Sequence, residues 1–333
     1  MAWPDGGDNE VIATIGSGPG RTFAAITDWE AWTDNNCVTG AGGTAPYDVP
    51  CSPVGECYDD GDFNEGVWVE SATCDATHYR GLTAHVDSRH EGKMGAGVFV
   101  VSGIGVAELY FVVEWMQTIN TSISLSWAPA NSRWLASNCI ISRTTDWSIG
   151  FRMNSSGAGS ESTCRNCIAY GTEIHSDGLF HRITTAQNCT AIGKYQTGFE
   201  ECATCTNCIG VTITSGAPFH ASGGDYNISS DTSSPGAHSI DNIAAADLFA
   251  NVGAGTEDLH LKAGAAAIGA GTDLSAYFTD DIDGQTRPTG ANTWDIGADQ
   301  YSSGAVAVAI AARLFAGNVY NIANAGVNIG TNN

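Results

Sequence analysis

The leading catalytic candidate in this 333-residue chain is the segment His175-Ser-Asp177-Gly-Leu-Phe-His181-Arg182. Histidine, aspartate and arginine so close together could exchange protons with a sugar hydroxyl or a glycosidic oxygen. If Phe180 points into a core, strand alternation turns His181 outward and Arg182 inward, with Asp177 at the preceding turn. Glycoside hydrolysis requires two facing carboxylates, and Asp177 with Glu200 or Glu201 would supply such a pair. The plainer alternative is a turn aspartate and an exposed histidine. Nothing in the sequence selects these carboxylates over the others, so His175, Asp177 and His181 stand as catalytic candidates without a defined reaction.

Metal chemistry has two candidate sources. Asp280-Asp281-Ile-Asp283-Gly284 places oxygen ligands beside a glycine, as calcium loops do, but without the distal glutamate of an EF-hand. Asp281 and Asp283 are the calcium candidates; the alternative is an ion pair between Arg287 and one of these aspartates or Asp295. Cys164-x-x-Cys167 and Cys202-x-x-Cys205-x-x-Cys208 have a spacing that zinc favours. Residues three apart on a strand face opposite sides, however, which predicts Cys164 and Cys205 at turns or outward. Asp87-Ser-Arg-His90 and Thr77-His-Tyr-Arg80 read as structural turn contacts. Gly16-Ser-Gly-Pro-Gly20 has the glycines of a phosphate loop but not its Lys-Ser/Thr.

The elements that must position these residues declare themselves through a repeat. Asn-Cys recurs at Asn138-Cys139, Asn166-Cys167, Asn188-Cys189 and Asn207-Cys208, and Phe151, Phe180, Phe199 and Phe219 follow the successive cysteines. Two marks kept in phase over uneven spacings imply one stacked unit with loops absorbing the variation. Apolar runs such as Cys139-Ile-Ile and Cys208-Ile-Gly-Val-Thr-Ile are too short for helices and are separated by Gly, Asn, Ser and Thr. Short strands in coils of about 20 residues predict a parallel β-helix. The cysteines should then form an interior ladder as small hydrophobes. The asparagines should form a turn ladder, tolerating the left-handed conformation and bonding the next coil, and the phenylalanines a second interior ladder.

Composition agrees with that architecture. Glycine is abundant at 41 residues, and charged residues make up only 15%, below the usual quarter. The net charge of −23, with 36 acidic residues against 13 basic, argues against nucleic acid, whose phosphates need clustered Lys and Arg. The opening Met-Ala-Trp-Pro-Asp-Gly-Gly-Asp has neither a basic nor an apolar region of a signal peptide, and no apolar run is long enough to predict membrane insertion. Disulfides among Cys37, Cys51, Cys57 and Cys74 remain open, since pairing is not readable from spacing.

In chain order, residues 1–66 read as an N-terminal arm, cap and Cys-containing loop. Strand Val11–Ile15 precedes a short amphipathic helix over 22–32 that presents Ala25, Ile26, Trp29 and Trp32 to one side, and residues 36–66 read as irregular. Residues 67–245 carry the coils, with early strands at Val67–Val69, Gly97–Val101, Leu109–Val113 and Ile123–Leu125. Residues 246–301 are a closing segment. Residues 302–333, including Ala305-Val-Ala-Val-Ala-Ile-Ala-Ala312, form an apolar tail that a soluble monomer should not expose.

Several segments carry a family resemblance. Asp225-Tyr-Asn-Ile-Ser-Ser-Asp231 with Ser234-Pro-Gly236, and Asp258-Leu-His-Leu-Lys-Ala-Gly264 with Ala267-Ile-Gly-Ala-Gly271, resemble late coils of right-handed parallel β-helix repeat proteins of the pectin-lyase-like superfamily. Asp281-Ile-Asp-Gly284, Arg287-Pro288, Asp295-Ile-Gly-Ala298 and Tyr301 are similar to their C-terminal signature, and Thr14-Ile-Gly-Ser-Gly18 with Phe23-Ala-Ala-Ile-Thr-Asp-Trp29 to their opening segment. The resemblance covers about residues 11 to 301. It implies an all-β, right-handed parallel β-helix with a short N-terminal capping helix. With the absence of a signal-peptide pattern, the apolar tail, the capped β-helix and the lack of a definite catalytic cluster, the reading is a phage virion protein (head decoration, spike or fibre) on the virion surface, made in the host cytoplasm without a signal peptide and in contact with other virion proteins; the resemblance implies a trimer. The same fold carries polysaccharide lyases and glycoside hydrolases, so a depolymerase acting on a cell-surface glycan is the alternative; some of the nine tryptophans could be sugar-stacking platforms.

Overall fold

A computed structural model describes residues 10–36, 52–72, 74–75, 78–119, 121–126, 129–143, 150–153, 158–172, 178–212, 216–253, 256–290 and 293–302. Short strands separated by left-handed turns wind into a right-handed parallel β-helix of three sheets. The first sheet has nine strands running from Glu10–Ile15 to Gly224–Asp225; the second runs from Phe99–Val100 to Ile228–Ser229 and the third from Val67–Val69 to Ala217–His220, with seven each. Every neighbouring pair in these sheets is parallel, as Arg133↔Glu161 in the first, Ile140↔Ile168 in the second and Phe151↔Phe180 in the third illustrate.

Equal register places like residues one above another. Phe151, Phe180, Phe199 and Phe219 stack with centroids 5.0, 4.7 and 4.9 Å apart and planes within 12° of parallel, the spacing of adjacent strands. Cys139, Cys167, Cys189 and Cys208 are fully buried, and each thiol donates weakly to a carbonyl one coil earlier: Val113, Ala136, Cys164 and Ala186, at 3.4–3.6 Å. Cys164 and Cys205 are also fully buried, contrary to the outward placement predicted for them. Both belong to the first sheet, in register with Ala136 and Ala186, and the left-handed turn before the second sheet restores an inward direction for the cysteine three residues on. All nine described cysteines, Cys57 and Cys74 included, are free thiols; Cys37 and Cys51 lie outside the described residues.

The asparagines sit between the first and second sheets at φ of 53°, 48°, 49° and 54°. Their amides mostly bond not the next coil but the closing segment: Asn138 donates to Asp281 O, Asn166 to Asp280 O, Asn188 to Asp295 O and Gly297 O, and Asn207 to Thr272 O. Asn207 alone of the four donates to its neighbour's side chain, Asn188 Oδ1, at 3.1 Å. Asn188→Ala should lower stability by about 2–4 kcal/mol, from left-handed strain and the loss of the donor to Asp295 O, while Gly297 O keeps Arg287. Asn188→Gly should lower it by about 1–2 kcal/mol less. Equal denaturation midpoints for the two variants would refute the conformational part of that argument.

The second sheet is buried on both faces, which explains its unbroken apolar runs. Its inner face joins the coil interior. Its outer face, with Ile140, Ile168, Ile192, Ile209 and Val211, packs on Leu248, Leu259, Leu261, Ile282 and Ile296 of the closing segment. Gly297, at φ 102°, makes this approach possible: a Cβ there would lie 2.5 Å from Ile209 Cδ1. The antiparallel pair Phe249–Asn251 and Asp258–Leu261 belongs to this covering layer.

At the other end, helix Ile26–Asn36 buries Ile26, Trp29 and Thr33. Glu65 caps its N-terminus, accepting from Ile26 N at 2.6 Å and Thr27 N at 3.2 Å. The irregular stretch expected over 36–66 contains a strand, Ser52–Cys57, paired between Glu10–Ile15 and Arg80–Ala84. Pro53 and Gly55 disguised it as a loop. Gly55 is required because a Cβ there would meet Ile15, Leu82 and Trp29 at 2.8–3.1 Å. Parallel stacking therefore begins before residue 67. Arg80 beside it is fully buried, bonded to Glu108, Thr33 and Asp34, so it is a structural group, as its sequence context indicated. No helix among the described residues is long and apolar enough to cross a membrane. The tail beyond Ser302 lies outside the described residues.

Candidate functional site

Two places bring candidate residues together: the outer face of the third sheet and the seam beneath the closing segment. On the third sheet, alternation that buries the phenylalanine stack sends the following residue of each strand outward. Register then aligns Arg152, His181, Glu200 and His220 in one column. Glu200 Oε2 accepts from Gly178 N at 2.6 Å and lies 3.9 Å from His181 Nε2. His181 is outside the coil yet nearly covered, with 7% of its side chain exposed. Arg182 does not turn inward as alternation predicted. Its φ of 58° ends the strand, and the side chain emerges to pair with Glu201 at 2.7 Å. That ion pair holds the Glu201 carboxyl below its ordinary range. His175 and Asp177 lie outside the described residues.

The calcium candidates separate. Asp281 is fully buried and works as a turn organiser: Oδ1 accepts from Asp283 N and Gln285 N, and Oδ2 from Gln300 N. Asp283 instead faces His260, 3.1 Å from Nε2. Arg287 forms no close carboxylate pair; it donates to Asp280 O, Gln300 Oε1, Asn166 Oδ1, Gly297 O and Ala298 O, and its guanidinium lies 5.2 Å over Trp294. The ligand atoms of His260, Asp283 and Asp299 all lie within 4.8 Å of one another, and among the described residues no cysteine joins a comparable group. His260 and Asp299 carried no role in the sequence reading. Asp258-x-His260 on a strand does place both side chains on one face, a signal that could have marked the histidine.

Electrostatics follows from burial. Asp283 and Asp258 hold the His260 imidazolium, raising its pKa to about 10, and desolvation pushes Asp281 up to about 7 and Asp299 to about 6. His90, fully buried nearby, behaves oppositely. Its Nε2–H donates to Asn138 O at 2.7 Å and Nδ1 accepts from Gly92 N at 3.1 Å, and burial lowers its pKa from 6.5 to about 4. The unfolded chain thus takes up this proton first. The stability that neutral His90 contributes is fully present above 6.5 and is lost as pH falls toward 4. The gap is worth roughly 3 kcal/mol. Asp281 partly offsets it, because its raised pKa makes the folded state the tighter proton binder between its ordinary 3.8 and about 7. His90→Gln should therefore remove acid destabilisation between pH 6.5 and 4, measured as the difference in urea midpoints from the parent. Parallel pH profiles would exclude His90 as the source.

The glycine loop after the first strand holds an anion of its own chain. Asp60 accepts from Gly18 N at 3.1 Å and from Arg21 Nε at 2.7 Å, and a Cβ at Gly16 or Gly18 would meet its carboxylate at 2.5–2.6 Å. Among the described tryptophans, Trp29, Trp134 and Trp294 are fully buried and Trp115 nearly so; Trp68, on the third sheet, is 38% exposed. Comparison with family models, with curated proteins and with solved structures finds no match to this chain.

Proposed function

We propose that this chain is a structural component of a phage virion, a head decoration, spike or fibre module, acting by assembly and surface binding on the virion exterior. The observation that carries this reading is the interlocking of coil and closing segment. Asn138, Asn166 and Asn188 tie the coils to closing-segment carbonyls more than a hundred residues away in the chain, and Arg287 bonds Asn166 across the same seam. Such bonding suits a rigid surface element. The resemblance to pectin-lyase-like β-helix repeat proteins of virions supplies the context, and with it the expectation of a homotrimer contacting other virion proteins.

The test is light scattering with small-angle scattering on the full chain and on a chain ending at Tyr301. Trimers or larger assemblies from the full chain, with a monomeric shorter chain, support an assembly role for the apolar tail. Identical monomers remove that support. A second reading, a polysaccharide lyase or glycoside hydrolase acting on a surface glycan, is favoured by the column Arg152, His181, Glu200 and His220. It requires cleavage of a polysaccharide that His181→Ala and Glu200→Gln abolish while the fold survives.

A further inference from the structure

We propose that His260, Asp283 and Asp299 bind a divalent transition-metal ion of the zinc class that pins the closing segment. The three residues come from the strand Asp258–Leu261, the turn after Asp281 and the last described stretch of the chain. His260 Nε2 and Asp283 stand 3.1 Å apart, close to the roughly 3.3 Å between two ligands on one tetrahedral zinc. Asp299 is 5% exposed, and its Oδ2 accepts from Leu261 N at 2.7 Å. An imidazole with two carboxylates is a zinc-type donor set, whereas calcium takes oxygen ligands alone.

Two independent features point to a ligand here. Asp258 holds His260 Nδ1, which directs Nε2 at the two carboxylates, the arrangement in which a second carboxylate orients a metal-bound histidine. Gly92, at φ 69°, roofs the pair with bare backbone: a Cβ there would overlap Asp283 Oδ1 and lie 2.9 Å from His260 Nε2. In the metal-free protein a proton on Nε2 faces Asp283. The ion replaces that proton, which leaves to solvent, and joins the imidazole to both carboxylates.

Zinc is titrated into the chelator-treated full chain by calorimetry, with thermal melting alongside. The expected result is one ion per chain, a melting temperature raised by several degrees, and loss of both effects in His260→Gln and Asp299→Asn. Asp258→Asn should weaken binding by about 10- to 100-fold, and Gly92→Ala should also weaken it. Cobalt(II) substitution of the parent protein provides a readout independent of variant folding. A ligand-field spectrum without thiolate-to-metal charge transfer is expected. Thiolate charge transfer, zinc binding retained in folded His260→Gln, or no binding by the parent overturns the proposal.

Discussion

Arg287→Ala is expected to destabilise the protein by about 3–5 kcal/mol, the range for removing one partner from a buried charged network. The side chain is 1% exposed and makes five hydrogen bonds, which join Asn166 of the asparagine ladder to Asp280 and to Gly297, Ala298 and Gln300 of the closing segment. Its loss takes one of two donors from each of the carbonyls of Asp280, Gly297 and Ala298, which keep Asn166, Asn188 and Ile282 N respectively, and removes the positive charge that opposes the desolvation of Asp281. Arg287→Lys should recover only part of the loss, because an ammonium cannot reproduce the planar fork. Chemical denaturation measures the magnitude and hydrogen exchange locates it. The argument predicts early exchange over 267–301 while the Phe180 coil stays protected. A loss under about 1 kcal/mol would falsify the view that this arginine holds the seam.

Phe180→Ala should cost about 3–5 kcal/mol for a different reason, the cavity left in a close-packed interior. The ring is fully buried between Phe151 and Phe199, at 5.0 and 4.7 Å, so collapse from either side must break another stacked pair. Phe180→Leu retains most of the apolar volume and should cost about 1–2 kcal/mol. In a solenoid each coil contacts mainly its neighbours. Lost exchange protection should therefore centre on the coils of Phe151, Phe180 and Phe199, sparing Val67–Val69. Uniform loss along the whole helix would show that the coils unfold as one unit and that the neighbour argument fails.

The two predictions separate what local repetition encodes from what it does not. A ladder needs the same residue at the same register in each coil, so the recurring Asn-Cys and the phased phenylalanines could be read without long-range information. The strand Ser52–Cys57 was hidden because Gly55 answers to Trp29 of the cap helix, a contact between distant segments. The direction of Arg182 was misread because one left-handed residue cancels strand alternation. The calcium pair came apart because Asp281 turned inward to organise backbone, while Asp283 met a histidine from another strand.

The sequence by itself determined the all-β class, the coil repeat and the identity of the stacked residues, because those follow from period and side-chain size. Only the tertiary structure decided what the asparagine amides bond, why Arg287 is buried and which carboxylates share His260. Each of those outcomes depends on contacts between segments far apart in the chain, across the coils for Asn138, Asn188 and Arg287 and within the closing segment for His260, where register between distant segments, not local pattern, selects the partner.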